Sequence, residues 1–109
     1  MKGRIIRISD GMFESDKADV LRDAMKDSYD KLAPGIRSPD GNRGYFAGFD
    51  IENNAMVNVS AWSTLEEAKQ MTRFRPMLDL AEEFNRLGVR FERPILNFEQ
   101  IWVIEPELA

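Results

Sequence analysis

Residues 44–62 have the sequence GYFAGFDIENNAMVNVSAW, which contains the clearest strand and turn signals of the chain. Residues 44–52 and 55–62 are typical of two β-strands, and Asn53-Asn54 between them tolerates the positive φ of a two-residue hairpin turn. We therefore predict a hairpin in which Tyr45 pairs with Trp62 and Phe49 with Asn58. In that register these four side chains lie on the same side of the sheet.

The segments before the hairpin predict one strand and one helix. Residues 4–9 are rich in isoleucine and end at the turn signal Asp10-Gly11. Over residues 16–32 the buried positions recur at spacings of three and four residues, as on one side of an amphipathic helix. Pro34-Gly35 is expected to end this helix, and residues 38–42 to continue as a polar loop.

The segment after the hairpin predicts a second helix in two pieces. Ser63 and Thr64 each stand three residues before a glutamate, which is the spacing of a capping box. Pro76 predicts an interruption near residues 73–75 and a restart of the helix with this proline in its first turn. Gly88 is a candidate C-terminal cap.

The chain then returns to strand patterns. Residues 89–93 alternate, Pro94 ends that run, and residues 98–104 predict a final strand. The order strand, helix, strand, strand, helix, strand predicts an α+β, ferredoxin-like fold with an antiparallel sheet. A length of 109 residues fits a single domain over residues 1–109.

The composition argues against several classes of function. The chain has neither cysteine nor histidine, so we expect no bound metal and no haem or other cofactor. Its net charge of −4 disfavours nucleic acid as a partner, and residues 43–49 match the aromatic motif of RNA-recognition modules at the first three positions only. No apolar run resembles a membrane span or an export signal, so we expect no membrane partner and a cytoplasmic location.

Residues 62–68, Trp-Ser-Thr-Leu-Glu-Glu-Ala, end a strand in tryptophan and pass directly into a helix cap. Within a βαββαβ chain this segment resembles the antibiotic biosynthesis monooxygenase family. The resemblance implies a dimeric α+β barrel, in which two sheets pack face to face and each subunit holds a ligand cavity between sheet and helices. Some members are cofactor-free monooxygenases of polycyclic phenols, with an asparagine and a tryptophan of one strand facing the cavity. Asn58 and Trp62 match that pair, whereas the haem-degrading members use an axial histidine, which this chain lacks.

Asn58 and Trp62 are therefore the candidate catalytic residues. They lie roughly 13 Å apart on one face of a strand, so a flat multi-ring ligand fits between them. The amide of Asn58 can stabilise charge on a carbonyl or phenolate oxygen, and the indole N–H of Trp62 can donate to an anionic oxygen species. A structural explanation is equally open, with Trp62 as a core anchor and Asn58 satisfied by a backbone group or water.

Tyr45, Phe49 and Arg73 are the candidate substrate-binding residues. Tyr45 is either a phenolic donor or an aromatic partner across the strands, and Arg73 either holds a substrate carboxylate or phenolate or is solvated. The predicted function is that of a cofactor-independent monooxygenase acting on a small aromatic phenol or quinol. The alternative is a non-catalytic small-ligand-binding or stress-related dimer of the same fold.

Strand alternation also predicts a homodimer through the sheet. The face of the hairpin opposite to Tyr45 carries apolar side chains that the two helices cannot cover, and exposed patches of that kind usually mark an interface. These side chains are Phe46, Val57, Val59 and Ala61. Asp50 lies on the same face, where we expect it to pair with Arg7 across the interface.

Overall fold

The structure is a computed structural model that describes residues 4–36 and 41–107. Its strands and helices are β1 (Ile5–Met12), α1 (Ala18–Ile36), β2 (Asn42–Asp50), β3 (Ala55–Trp62), α2 (Leu65–Lys69), α3 (Arg75–Arg86), β4 (Arg90–Phe91) and β5 (Leu96–Glu99). A short 3₁₀ turn precedes α1, and a second one, Gln70–Arg73, connects α2 to α3. None of the helices in these two ranges is long and apolar enough to cross a membrane.

The strands form one antiparallel sheet in the order β2-β3-β1-β4, with β5 also paired to β1. β4 pairs with Gly11 and Met12 at one end of β1, and β5 pairs with the other end, from Ile5 to Ile8. The two short strands therefore share one edge of β1 and together occupy the place of a single last strand. This arrangement confirms the predicted α+β, ferredoxin-like fold.

The hairpin of β2 and β3 forms as predicted, but its register differs by two residues. Tyr45 pairs with Ser60 rather than Trp62, and Phe49 pairs with Met56 rather than Asn58. A shift of two residues leaves every side chain on its predicted face, because side chains alternate with a period of two.

The cause of the shift is the length of the hairpin loop, which spans four residues rather than the predicted two. The carboxylate of Asp50 accepts hydrogen bonds from the backbone N–H and the side-chain amide of Asn53, at 3.2 and 2.8 Å. Asn54 takes the positive φ, at 52°. The side chain of Asp50 thus nucleates a wider turn, in the manner of an Asx turn.

β1 does not end at Asp10-Gly11, so the predicted turn there is wrong. Gly11 is instead a point of close packing against the segment that leads into β4. A Cβ atom at this position would lie 2.5 Å from Cγ1 of Val89 and 3.0 Å from Cδ1 of Phe91. A glycine is needed here because Val89 and Phe91 approach the backbone closely, and the strand continues to Met12.

α1 continues through Pro34-Gly35 to Ile36, so the predicted end of this helix is also wrong. Ile36 is buried in a cluster with Trp62 and Met71, and this burial favours one more helical turn over the local preference of the proline. Gly35 lies against Phe74, whose Cζ would be 3.1 Å from an added Cβ. Of the predicted loop, residues 37–40 lie outside the described residues and Asn42 begins β2.

The second helix has the predicted cap, interruption and restart. Oγ1 of Thr64 accepts a hydrogen bond from the backbone N–H of Glu67 at 3.1 Å. The chain leaves the helical conformation at Phe74, and Pro76 stands in the first turn of α3. Gly88, with φ of 107°, follows the last turn, where its N–H donates to the carbonyl of Asn85 at 3.1 Å.

The last strand is earlier and shorter than predicted. β5 covers Leu96–Glu99, whereas the prediction placed it at residues 98–104. Glu99 pairs with Ile5, the first residue of β1, and one further backbone hydrogen bond follows, from the N–H of Gln100 to the carbonyl of Arg4 at 2.7 Å. Residues 100–107 form neither helix nor strand, and four of them present large exposed apolar side chains, namely Ile101, Trp102, Val103 and Ile104.

The sheet has two faces of different character. The inner face packs against the helices and carries Arg7, Tyr45, Asn58, Ser60 and Trp62. The outer face is apolar and partly exposed: Phe46 is 69% exposed, Leu96 55% and Phe98 43%. Two clusters of buried side chains fill the space between the inner face and the helices, one around Trp62 and Ile36 and the other around Leu21, Met56 and Phe84.

Candidate functional site

Two cavities open on the inner face of the sheet. The smaller one, of about 250 Å³, lies between the sheet and α3, and the larger one, a cleft of about 980 Å³, lies between α1 and β2. Both fall near the usual size of small-molecule sites, roughly 300–1,000 Å³. Their linings share five residues, which therefore stand at the boundary between the two spaces: Tyr45, Met56, Asn58, Leu80 and Phe84.

A hydrogen bond between Tyr45 and Asn58 stands at this boundary. The phenolic O–H of Tyr45 donates to Oδ1 of Asn58 at 3.1 Å, and its oxygen lies 3.7 Å from Sδ of Met77 on α3. The bond turns the amide oxygen of Asn58 toward the tyrosine, so the NH2 group points the other way. Within the described residues nothing accepts a hydrogen bond from that NH2 group, which leaves both of its protons available to a ligand.

Tyr45 is a donor at neutral pH. Burial raises the pKa of its phenol above the ordinary range, and the nearby positive charge of Arg7 lowers this pKa by a smaller amount. The side chain therefore stays protonated, and Asn58 keeps its orientation, up to strongly alkaline pH.

Arg7 is the buried charge of the site. It lies on β1 opposite Ser60, is only 8% exposed, and lines the smaller cavity together with Arg93. Burial lowers the pKa of Arg7 and the positive charge of Arg93 lowers it further, whereas Tyr45 opposes this shift once its phenol ionises at strongly alkaline pH. No carboxylate lines the smaller cavity, whose charge is therefore positive.

The pairing of Arg7 with Asp50 that was predicted across a dimer interface does not fit the structure, because Arg7 lies on the inner face of the sheet and Asp50 on the outer face. Asp50 instead accepts the hydrogen bonds of Asn53 in the hairpin loop. These hydrogen bonds lower the pKa of Asp50, and the bond to the side chain of Asn53 has the largest effect.

Trp62 shares the inner face with Asn58 but lies in the core and lines neither cavity. It is fully buried, and its indole N–H donates to Oγ of Ser60 at 2.8 Å. Ser60 itself lines the smaller cavity, opposite Tyr45 in the hairpin. The tryptophan is thus connected to the cavity through the hydroxyl of Ser60.

The other two predicted residues are far apart. Phe49 lines the larger cleft, where its ring packs against Phe13 with centroids 5.3 Å apart and Cζ of Arg22 lies 5.6 Å from its centre. Arg73 is exposed at the end of the 3₁₀ turn and belongs to neither lining. The structure therefore brings Tyr45 and Asn58 together and leaves Arg73 outside the site.

Sequence reasoning missed the role of Arg7 as a cavity residue. One signal was present: Arg7 alternates with Ile6 and Ile8 in the predicted first strand. A charged side chain between two isoleucines of a strand faces either an interface or a cavity, and the structure shows that it faces a cavity. In the described part of the chain, no three acidic side chains come together as a candidate metal site.

Comparisons with known proteins identify the fold. No family model and no curated protein matches this sequence. A monooxygenase from the gene ActVA-Orf6 of Streptomyces coelicolor, solved with nanaomycin D, is 12% identical, with 96% of this chain and 94% of that one covered and a TM-score of 0.75. SnoaB, a cofactor-independent oxygenase from Streptomyces nogalater solved as a mutant, is 10% identical, with coverage of 95% and 99% and a TM-score of 0.67.

A third match has no known function. NE2512 from Nitrosomonas europaea is 10% identical, with 96% of each chain covered and a TM-score of 0.68. At such identities the likeness shows the fold alone. The resemblance to antibiotic biosynthesis monooxygenase-like structures is confirmed at that level.

Proposed function

We propose that this chain is a cofactor-independent monooxygenase acting on a small aromatic phenol or quinol. The observation that carries the proposal is the hydrogen bond that orients the amide of Asn58 at the boundary between the two cavities. The shared fold with two proteins described as a monooxygenase and a cofactor-independent oxygenase supports it by analogy.

The reaction balances without a further reductant. A phenol such as 1-naphthol and O2 give the naphthoquinone and water: one oxygen atom joins the ring carbon para to the hydroxyl, and the other leaves as water with two hydrogens of the substrate. The substrate supplies all four electrons that O2 accepts. The protein therefore has to bind the ring, favour its phenolate and exclude bulk water.

Asn58 is the proposed catalytic residue in this scheme. Its NH2 group donates to the phenolate oxygen, so charge on that oxygen is stabilised as it forms, and Tyr45 holds the amide in the required orientation. The positive charge of the smaller cavity acts in the same direction, because it lowers the pKa of a bound phenol. The proton of the phenol passes to water at the opening of the cleft.

Trp62 and Ser60 have a positioning role in the proposal. The indole N–H of Trp62 occupies a lone pair of the Ser60 oxygen, so the serine hydroxyl keeps a fixed direction beside the cavity. Phe49 is proposed to contact the substrate from the larger cleft, which it lines. Arg73, which is exposed and lines neither cavity, has no part in this scheme.

We also propose a homodimer, with the outer face as the interface. The apolar side chains of that face are continuous across four strands, since Phe46 of β2 is opposite Val59 of β3, and Ile8 of β1 lies between Val59 and Leu96 of β5. Two copies of this face can pack against each other through the same apolar side chains. This packing would complete the dimeric α+β barrel.

One observation favours the alternative of a non-catalytic ligand-binding dimer. The lining of the smaller cavity contains neither a carboxylate nor an imidazole, so no side chain there is suited to act as a general base near neutral pH. Such a protein would bind the same aromatic ligands without consuming oxygen.

Two measurements distinguish the oxygenase from the ligand-binding protein. They are oxygen uptake with 1-naphthol and with anthrone, and chromatographic identification of the quinone product. The oxygenase proposal predicts one O2 consumed per quinone formed, at a rate proportional to protein concentration. Binding of these compounds in calorimetry without oxygen uptake above the protein-free rate would reject the oxygenase and support the ligand-binding protein.

A further inference from the structure

Arg7 differs from the arginines that form the ion pairs of the described residues. Those pairs, such as Arg75 with Asp79 at 3.2 Å and Arg86 with Glu82 at 3.4 Å, lie on the surface. Arg7 is more than nine-tenths buried as a residue, its guanidinium opens on the smaller cavity, and within the described part of the chain it has no acidic partner. A buried guanidinium is costly unless an anion compensates it.

The groups around Arg7 increase this deficit. Arg93 lines the same cavity, and its own guanidinium donates to the backbone carbonyl of Glu92 at 2.8 Å and lies over the ring of Phe91. On the neighbouring strand, Asn97 stands directly opposite Arg7, and its buried Oδ1 has no hydrogen-bond partner among the described groups. Two positive charges therefore line the cavity with no carboxylate among its lining residues, while the Oδ1 of Asn97 is an acceptor that a donor, and not an anion, would satisfy.

We propose that Arg7, assisted by Arg93, binds a carboxylate group carried by the aromatic ligand of the smaller cavity. The proposal rests on the proposed function in one respect only, namely that the aromatic acid bound there is a substrate. A carboxylate is anionic at neutral pH and matches the two-pronged donor geometry of a guanidinium.

The other residues that line the cavity indicate what kind of molecule carries the carboxylate. Its walls are mostly apolar and include three methionines, which adapt to flat rings: Met56, Met71, Met77, Leu80, Phe84 and Phe91. A volume of about 250 Å³ suits one or two fused rings. An inorganic anion would neutralise Arg7 but leave these walls without contacts, so we assign the site to a one- or two-ring aromatic acid.

The site can be tested with a pair of probes that differ in charge and hardly in shape, 2-naphthoate and 2-naphthamide. Calorimetric titration of the wild type is expected to show 2-naphthoate bound about 10- to 100-fold more tightly, as for a charge-assisted hydrogen bond. Arg7→Met is expected to abolish this preference, and Arg93→Met to reduce it. Arg73→Met is the matched control, because Arg73 is an exposed arginine outside both cavities, and it should leave both affinities unchanged.

Thermal unfolding shows whether Arg7→Met is folded. Without ligand this variant is expected to unfold at a higher temperature than the wild type, because an uncompensated buried charge is removed. A lower unfolding temperature would mean that Arg7 is a structural group, satisfied for example by Asn97, and would count against the proposal. Equal affinity of the wild type for the two probes, absence of binding, or a preference that persists in both Arg7→Met and Arg93→Met would overturn it.

Oxygen uptake with 1-naphthol and with 1-hydroxy-2-naphthoate separates this inference from the proposed function. Arg7-dependent binding of 2-naphthoate without oxygen uptake from either compound would leave the carboxylate site in place and reject the oxygenase. Oxygen uptake from 1-naphthol, with no preference for the carboxylates in binding or turnover, would support the oxygenase and reject the carboxylate site.

Discussion

The phenolic oxygen of Tyr45 lies 3.1 Å from Oδ1 of Asn58, one strand away on the inner face of the sheet. This contact determines which end of the Asn58 amide faces the cavities, and so makes it a donor rather than an acceptor toward a ligand. The tyrosine is therefore part of the site even though it does not need to touch the reacting oxygen.

The first prediction concerns the pH dependence of stability at Tyr45. The pKa of this phenol is raised in the folded state by burial, whereas the unfolded state titrates near pH 10. Above that pH the unfolded chain loses a proton that the folded protein keeps, so the free energy of unfolding falls as pH rises. Below it, the contribution of Tyr45 is fully present.

Tyr45→Phe removes this contribution. In urea unfolding, the stability difference between wild type and Tyr45→Phe should shrink by about 1 kcal/mol or more between pH 9 and pH 11. The other ionisable groups are common to both proteins and cancel in the comparison. A difference that stays constant over this range would show that the phenol of Tyr45 is not protected from ionisation by the fold.

The second prediction separates the packing role of Trp62 from its hydrogen bond to Ser60. Trp62→Phe should lower the free energy of unfolding by about 1–3 kcal/mol, since it leaves space in a fully buried position. It should also reduce oxygen uptake strongly while the fold persists. Ser60→Ala, which removes the hydroxyl that the indole orients, should reproduce the loss of oxygen uptake. Full activity of Ser60→Ala would exclude the positioning role.

The third prediction concerns the cap of α2. Of the two capping boxes in the sequence, the structure uses that of Thr64, whose Oγ1 accepts from the N–H of Glu67. Thr64→Ala should cost about 1 kcal/mol of stability in chemical denaturation. Ser63→Ala, the matched control, removes a hydroxyl that only accepts an exposed hydrogen bond from Arg43, and should cost less than about 0.5 kcal/mol. The reverse order would show that the helix begins one residue earlier.

The fourth prediction tests the outer face as the interface of a homodimer. Phe46→Glu places a charge at the most exposed of the large apolar side chains of that face and should convert a dimer into a monomer in sedimentation velocity at micromolar concentration. Val20→Glu is the control, because Val20 is also exposed but lies on α1, on the other side of the sheet. A wild type that sediments as a monomer, or a Phe46→Glu variant that remains dimeric, would contradict the proposed interface.

The order of elements and the two faces of the sheet could be predicted from the sequence because both depend on local periodicity. Side chains alternate in the hairpin whatever its register, so Tyr45 and Asn58 were placed on one face even though their pairing was shifted. The cap at Thr64 and the break before Pro76 are likewise local signals, read from residues a few positions apart.

The features that failed depend on contacts between distant segments. Pro34 and Gly35 are local signals for the end of a helix, but burial of Ile36 in the core extends α1 past them. Asp10-Gly11 is a typical turn sequence, yet the glycine is required because Val89 and Phe91 leave no space for a side chain at position 11. The position of Trp62 outside the cavities follows from how the helices pack on the sheet, which periodicity does not specify.

The catalytic role of Asn58 is tested by the oxygen uptake of Asn58→Ala with 1-naphthol, compared with wild type and with Asn85→Ala. Asn85 is an exposed asparagine on α3 outside both cavities and serves as the control. Removal of a donor to a developing oxyanion costs roughly 10²- to 10³-fold in rate. We predict a loss of that size in Asn58→Ala, an unfolding temperature within a few degrees of the wild type, and full activity in Asn85→Ala. Equal rates in the folded Asn58→Ala variant and the wild type would contradict the assignment of Asn58 as the catalytic residue.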